Sequence, residues 1–202
     1  MAGWIVAVEG DSDVAAAIKI LHACGQEVAG RTIVCGGKSN LDARLPGIRA
    51  AAAHRRWLVL RDLDRESCAP QVRARLQVAA APGFLRIAVR AIEAWLLADR
   101  EAAALWLGVA PRSIPEDVEG VLDPKAEVIR LACRPTRKVI RQDIVPRRAA
   151  RVGPGYVDQI RRYAEGGWRP DVAARAAPSL ARCLAYVRNW RPAKDVPGPG
   201  PG

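Results

Sequence analysis

Twice within the first 64 residues, a short apolar run rich in β-branched and aromatic side chains stops at a carboxylate. Residues 4–8 end at Glu9, and residues 57–60 lead through Arg61 into Asp62-Leu63-Asp64. Two further runs of this kind lie at 32–35 and 84–89. The stretches between them change period. Val14, Ile18 and Leu21 recur at helical spacing within 13–24, and helices are expected at 41–53, 70–79 and from 91 to 99 or beyond. Strand–helix alternation of this kind demands parallel strands joined by right-handed crossovers. The expectation is an α/β fold, with a mainly parallel sheet of about four strands flanked by helices over residues 1–108. Ligands of such sheets gather at the carboxyl ends of the strands, which is where Glu9, Asp62 and Asp64 fall.

Carboxylates crowded at one sheet edge repel one another unless a cation sits among them. Mg²⁺ (or Mn²⁺) suits them, because it takes hard oxygen ligands and keeps positions for water or phosphate oxygens. Asp13, at the start of the first helix, and Glu93, in the first turn after the fourth strand, extend the candidate set. Each has a structural alternative. Asp11, Ser12 and Asp13 also suit a helix N-terminus, and Glu93 is placed to pair with Arg90 at i,i+3. Asp99 lies about 120° further around its helix and reads as structural. Gly36-Gly37-Lys38-Ser39 is similar to the end of a phosphate-binding loop, but the full pattern needs glycine where Thr32 stands. ATP hydrolysis is not expected, although such a glycine turn, with Lys38, can meet a phosphate.

Charge divides the chain. The net charge is +11, and the first hundred residues hold 14 basic and 10 acidic side chains against 18 and 11 in the remainder. Arg134, Arg137, Lys138, Arg141, Arg147, Arg148 and Arg151 cluster beside a single acid, Asp143. The cluster is either a nucleic-acid backbone site or a solvated face in a chain where Arg outnumbers Lys by 27 to 5. Pro111, Pro115, Pro124, Pro135 and Pro146 break long helices. Short helices near 124–131, 156–164 and 179–190 then suggest a basic helical subdomain, 109–192, packed on the sheet, with a disordered Pro-Gly tail at 193–202. Trp168 suits base stacking or, better, anchoring of that subdomain. Five scattered cysteines with only His22 and His54 argue against zinc, and the lack of GxSxG argues against a serine hydrolase. No apolar run nears the ~18 residues of a membrane span, and the N-terminus has no signal-peptide pattern. A membrane partner is not expected, and a cytoplasmic location is.

The series VEGDSD, GGKSN, LRDLDRESCA, AIEAWLLAD, LDPK and GGWRPDVA, spread between residues 4 and 190, resembles a bacterial Toprim-like family of unknown function. That family is similar to the Toprim domain of topoisomerases, primases and overcoming-lysogenization-defect nucleases. The resemblance implies a Toprim-like fold and a metal-dependent nuclease, or phosphodiester-cleaving subunit, acting on DNA or RNA. By the same resemblance Glu9 is the general acid/base, Asp62 and Asp64 hold Mg²⁺, and Asp13 and Glu93 match a further metal position. Lys38 or Lys125 is the catalytic cation near the scissile phosphate. Position 91, acidic in many relatives, is Ala91 here, which bears on the second metal. Members often accompany ATPases in mobile-element or phage-defence settings, so an ATPase partner is implied. The alternative is a non-catalytic nucleic-acid-binding or regulatory partner of an ATPase. Asp62-Leu63-Asp64 behind an apolar strand is also similar to the first motif of haloacid-dehalogenase phosphatases, but Glu66 stands where those carry Thr or Val.

Overall fold

The computed structural model describes residues 3–78, 83–134 and 137–191; the expected Pro-Gly tail, 193–202, lies outside the described residues. The four apolar runs form β1 (Ile5–Val8), β2 (Ile33–Val34), β3 (Trp57–Asp62) and β4 (Leu85–Ala88). They pair in the order β2-β1-β3-β4, all parallel, with Ala7 beside Val59 and Asp62 beside Ala88. The connections run through α1 (Asp11–Ala23), α2 (Lys38–Ala52) and α3 (Ala69–Arg75). This is an α/β sandwich of the Rossmann-like class. The chain leaves β1 toward β2 on one side and leaves β3 toward β4 on the other. The topological switch point therefore lies between β1 and β3, the position where open parallel sheets bind ligands.

Side-chain alternation along β3 sorts its residues into two layers. Leu58 and Leu60 join α1 in one apolar core, while Trp57 and Val59 join α2 and α3 in the other. Arg61 follows the second parity and is only 1% exposed. Its guanidinium grips Asp42 of α2 with two bonds, Nε–Oδ1 at 2.8 Å and Nη2–Oδ2 at 3.0 Å, and reaches Glu66 Oε1 at 2.6 Å. Nη1 donates to the Asp62 carbonyl at 2.9 Å. A buried cation is thus satisfied by two acids and one carbonyl, and it ties the loop after β3 to α2.

Beyond β4 the chain forms α4 (Ile92–Ala98), α5 (Arg100–Leu107), a 3₁₀ turn (Pro111–Ser113), α6 (Pro124–Ala132), α7 (Lys138–Ile144), α8 (Tyr156–Gly166), α9 (Pro170–Ala173) and α10 (Pro178–Asn189). Pro124, Pro170 and Pro178 open their helices at the first position, where no donor is lost. The helix expected to run past residue 99 instead breaks there. Buried Asp99 caps α5 through Ala102 N–H and accepts from the backbone N–H, Nε and Nη2 of Arg169. The helices after residue 108 share the core of α1 and α4. Tyr163 donates to the Leu96 carbonyl, and Trp168, 1% exposed, donates to that of Trp95 at 3.0 Å. Trp168 is an anchor and offers no face to a base. Among the described residues no helix is long and apolar enough to cross a membrane.

Replacing Arg61 with Ala leaves Asp42 and Glu66 facing each other without their shared cation. Urea unfolding of Arg61→Ala is expected to show a loss of about 3 kcal/mol, the scale for removing one partner of a buried ion pair, and Arg61→Met a smaller one. A change under about 0.5 kcal/mol, the ordinary surface value, refutes the anchoring role.

Candidate functional site

The ends of β1, β3 and β4 converge on a cleft of about 530 Å³ lined by Lys38, Asp62, Asp64, Arg65, Glu66, Arg90, Ala91, Leu122, Asp123, Pro124 and Lys125. Asp62 follows the parity of Leu60 and so faces α1 and α4 at the cleft floor. Its backbone N–H donates to Glu9 Oε1 at 2.9 Å, and its Oδ1 accepts from Ile92 N–H, the first amide of α4, at 3.0 Å. Asp13 is buried. It accepts from Gly10 N–H at 3.0 Å and from the Ser12 hydroxyl at 2.9 Å, so the capping role and the cleft role fall on one residue. Glu93, 1% exposed, accepts from the Tyr156 hydroxyl at 3.0 Å through Oε1, and Lys125 Nζ is 3.6 Å from the same oxygen. Glu93 Oε2 is buried and without a hydrogen-bond partner.

Asp64 has left the strand. Its φ of +53° is left-handed backbone, which Asp tolerates better than most residues. The conformation is held by Asp64 N–H to the Arg90 carbonyl at 2.7 Å, while Arg90 Nη1 returns bonds to the carbonyls of Asp64 and Glu66. Arg90 is therefore a loop clamp and does not pair with Glu93 as the i,i+3 spacing suggested. Lys38 Nζ lies 2.6 Å from Asp64 Oδ2 and 3.7 Å from Glu66 Oε1. Gly36 and Gly37 make the turn before α2 with φ of +72° and +117°, but the Gly37 N–H is spent on the Glu9 carbonyl at 2.8 Å. The glycine turn thus serves first to carry Lys38 to the cleft. Lys125, in the first turn of α6, approaches from the far wall.

Glu9, Asp13, Asp62, Asp64 and Glu93 therefore meet in one electrostatic neighbourhood. Burial, with Asp64 and Asp13 adding to it, raises the Glu9 carboxyl to about 7 against the opposing bond from Asp62 N–H. Burial raises Asp13 to about 6, with Glu93 contributing. Asp62 is pushed well above the carboxylate range by burial and then by Asp13, Glu93, Glu9 and Asp64. Lys125 is held above its usual value by Glu93 first, and by Asp62 and Asp13. The donor set, all carboxylate oxygens plus the unpartnered Glu93 Oε2, suits a hard divalent cation. As the side chains stand, no three acidic, imidazole or thiol groups among the described residues close on a common point. Lys38 and Lys125 draw Asp64 and Glu93 to themselves instead.

The basic run spans the end of α6, α7 and the α7–α8 loop. Its seven members are all exposed, and among the described residues none forms an ion pair. Arg134 lies at the far end of α6 and donates to Ser113 Oγ at 3.3 Å. Arg147, Arg148 and Arg151 occupy the α7–α8 loop, whose end is pinned by Gly153 N–H to the Ile144 carbonyl and Gly155 N–H to that of Asp143. A Cβ at Gly153 would stand 2.1 Å from the Asp143 carbonyl oxygen, so the close approach needs glycine. The loop leads into α8, whose first residue, Tyr156, meets Glu93. Tyr156, Arg61 with Asp42, and Arg65 at the cleft rim escaped the sequence reading. Arg61 had a signal, a charge inside an apolar strand that must find partners; Tyr156 had none, because its contact spans 63 residues. Comparison of the chain with protein-family models, curated proteins and solved structures finds no match to any of them.

The raised carboxyls fix a pH dependence. A carboxyl with a higher pKa folded than unfolded binds its proton preferentially in the fold. It favours folding at low pH, and that advantage is lost as pH rises through the folded pKa. Glu9→Gln keeps an acceptor for Asp62 N–H without the charge. Chemical unfolding is expected to show the variant gaining stability over the parent from about pH 4.5, levelling off above about 7. A stability difference independent of pH refutes the shift.

Proposed function

We propose that this chain is a Toprim-like, metal-dependent nuclease, or the phosphodiester-cleaving subunit of one. The observation that carries the reading is the meeting of Glu9, Asp13, Asp62, Asp64 and Glu93 at the β1/β3 switch point, faced by two lysines. A capping cluster or a fold-stabilising network does not explain five acidic side chains gathered where burial and their neighbours raise the carboxyls of Glu9, Asp13 and Asp62. Glu9, Asp13, Asp62, Asp64 and Glu93 would hold Mg²⁺ or Mn²⁺. When bound, such a cation neutralises phosphate charge and activates water at neutral pH.

The chain's own groups supply the rest. Lys125, on an exposed stem with its head toward Glu93, is placed to meet a non-bridging phosphate oxygen from the α6 wall. Lys38 serves the opposite wall through Asp64. Glu9, with a carboxyl poised near neutral pH, holds or accepts a proton at Oε2 while Oε1 stays on Asp62 N–H. Tyr156 fixes Glu93 by one oxygen and leaves the other toward the cluster. Arg147, Arg148 and Arg151, in the exposed loop that leads to Tyr156, bind the phosphate backbone of DNA or RNA and fix no sequence. An ATPase partner, implied by the family resemblance, is part of the same proposal.

Two measurements test the proposal. Purified protein with supercoiled plasmid, single-stranded DNA or RNA should cleave in Mg²⁺ or Mn²⁺ and not in EDTA. Asp62→Asn should lower the rate by about 100-fold or more while folding at least as stably as the parent. Cleavage at the parental rate by Asp62→Asn removes the site from the chemistry. Separately, changing Arg147, Arg148 and Arg151 together to Ala should weaken duplex binding and flatten its log–log salt dependence by up to about 2.7, about 0.9 per lost phosphate contact. Arg134→Ala, distant from the cleft, should change it by less than one such step. An unchanged slope in the triple variant refutes the loop's role.

A further inference from the structure

The opposite end of the sheet carries the reverse imbalance. Arg86, in the middle of β4, turns its side chain back toward the strand's start, where Nη1 makes only a long 3.4 Å contact with the Gly83 carbonyl. Its guanidinium lies over the Tyr186 ring of α10, 5.6 Å from the centroid. The Tyr186 hydroxyl donates to the carbonyl of Trp57, the first residue of β3, which fixes this cluster at the amino ends of the strands. Arg182 precedes Tyr186 by one helical turn and so lies on the same face of α10. From α3, Arg73 donates to the carbonyls of Leu85 at 2.8 Å and Val78 at 2.9 Å, which tethers a third guanidinium beside Arg86.

Among the described residues none of these three cations has a carboxylate partner. Arg86 Nε is buried and bonds to nothing. A guanidinium cannot shed its proton to escape burial, and a buried charge without a counter-charge is strongly disfavoured. Burial lowers both Arg86 and Arg73, and each is lowered further by a neighbouring guanidinium, Arg182 acting on Arg86 and Arg86 on Arg73. Gly83 keeps the space open: a Cβ there would lie 3.0 Å from the Tyr186 ring and 3.3 Å from Arg86 Nη1. Contrast Arg61, an even more deeply buried arginine, which the fold supplies with two carboxylates.

We infer that Arg73, Arg86 and Arg182 form an anion site for a phosphoryl group, separate from the carboxylate cleft and independent of the nuclease reading. Three converging cations match a doubly charged, multi-oxygen ligand better than a single carboxylate, and planar guanidinium forks suit phosphate oxygens. The phosphoryl group belongs either to a small phosphate compound or to a nucleic-acid backbone.

The test uses the full chain and the variants Arg182→Ala and Arg86→Met, with Arg148→Ala as the control at the other basic surface. Sodium phosphate should raise the melting temperature of the parent and of Arg148→Ala above that in sodium chloride of equal ionic strength. The rise should be lost in Arg182→Ala, whose side chain is exposed and whose fold does not depend on it, and in Arg86→Met. A 20-nucleotide single strand followed by fluorescence anisotropy supplies the second arm. A roughly tenfold weaker affinity in Arg182→Ala, without a phosphate-dependent shift in the parent, supports the site with backbone phosphate as its ligand. Equal behaviour of Arg182→Ala and parent in both arms overturns the inference, as does a phosphate shift abolished by Arg148→Ala instead.

Discussion

The buried ion cluster of Arg61 is the constraint on which the cleft depends. β3 is one of the two inner strands, and its last two residues point into opposite layers, Arg61 toward α2 and Asp62 toward α1 and α4. Placing a full charge under the α2 layer is tolerable because Asp42 and Glu66 are both there to meet it, and because its remaining donor closes on the Asp62 carbonyl. That single guanidinium therefore sets the backbone from Asp62 to Glu66. Everything facing the cleft from this loop follows: the amide that Asp62 offers to Glu9, the left-handed turn at Asp64, and the carbonyls that Arg90 clamps.

On the other side of the same strand, the fold brings together charges that it does not balance. Asp62, Asp13 and Glu93 have backbone, hydroxyl or phenol donors, but no guanidinium comparable to Arg61 reaches them. Three devices can relieve such crowding: protonation, an ammonium group, or a metal cation. The first is written in the raised Glu9 and Asp13 carboxyls, and the second in the placement of Lys38 and Lys125. Both are reversible, since a lysine on a half-exposed stem and a bound proton each yield to a divalent ion. A structural network built for stability takes the Arg61 form instead, buried and fully paired. The contrast between the two sides of β3 is why the cleft reads as a working site.

Much of this was legible in the sequence, and the reasons are local. Short apolar runs ending in Glu9 and Asp62, separated by helical periods, specify parallel strands and put those carboxylates at one edge. Glycines 36 and 37 mark a turn whatever else they do. Residues whose role is set across the fold were not legible. Tyr156 meets Glu93 from a helix 63 positions away, and Asp99 ends α4 because Arg169, 70 positions on, satisfies it there. Glu93 illustrates the same limit from the other side. Its local spacing to Arg90 suggests an ion pair, but Arg90 finds stronger use in fixing the carbonyls of the loop after β3. The seven basic residues form one run in sequence, but they fall on the end of α6, on α7 and in the α7–α8 loop, all exposed.

On the proposed nuclease reading, the two ends of the sheet also constrain the order in which a polyanion would engage this chain. A phosphodiester approaching the bare cleft meets Asp62, Asp64, Glu66 and Asp123 on its lining, with Lys38 and Lys125 already drawn to acids and Arg90 committed to loop carbonyls, so the buried acids behind the floor oppose it. Attraction comes first from cations without a carboxylate partner among the described residues, such as the α7–α8 arginines and the guanidinia around Arg86. Such surfaces act over about a Debye length, ~8–10 Å at physiological salt, and can hold a backbone before any group reaches the cleft floor. Entry to the floor then requires the carboxylates to be neutralised by protons or by a cation arriving with the polyanion's own counterion atmosphere. On the nuclease reading, carboxylate crowding is thus a gate as well as a ligand set: it admits phosphate only in company with positive charge.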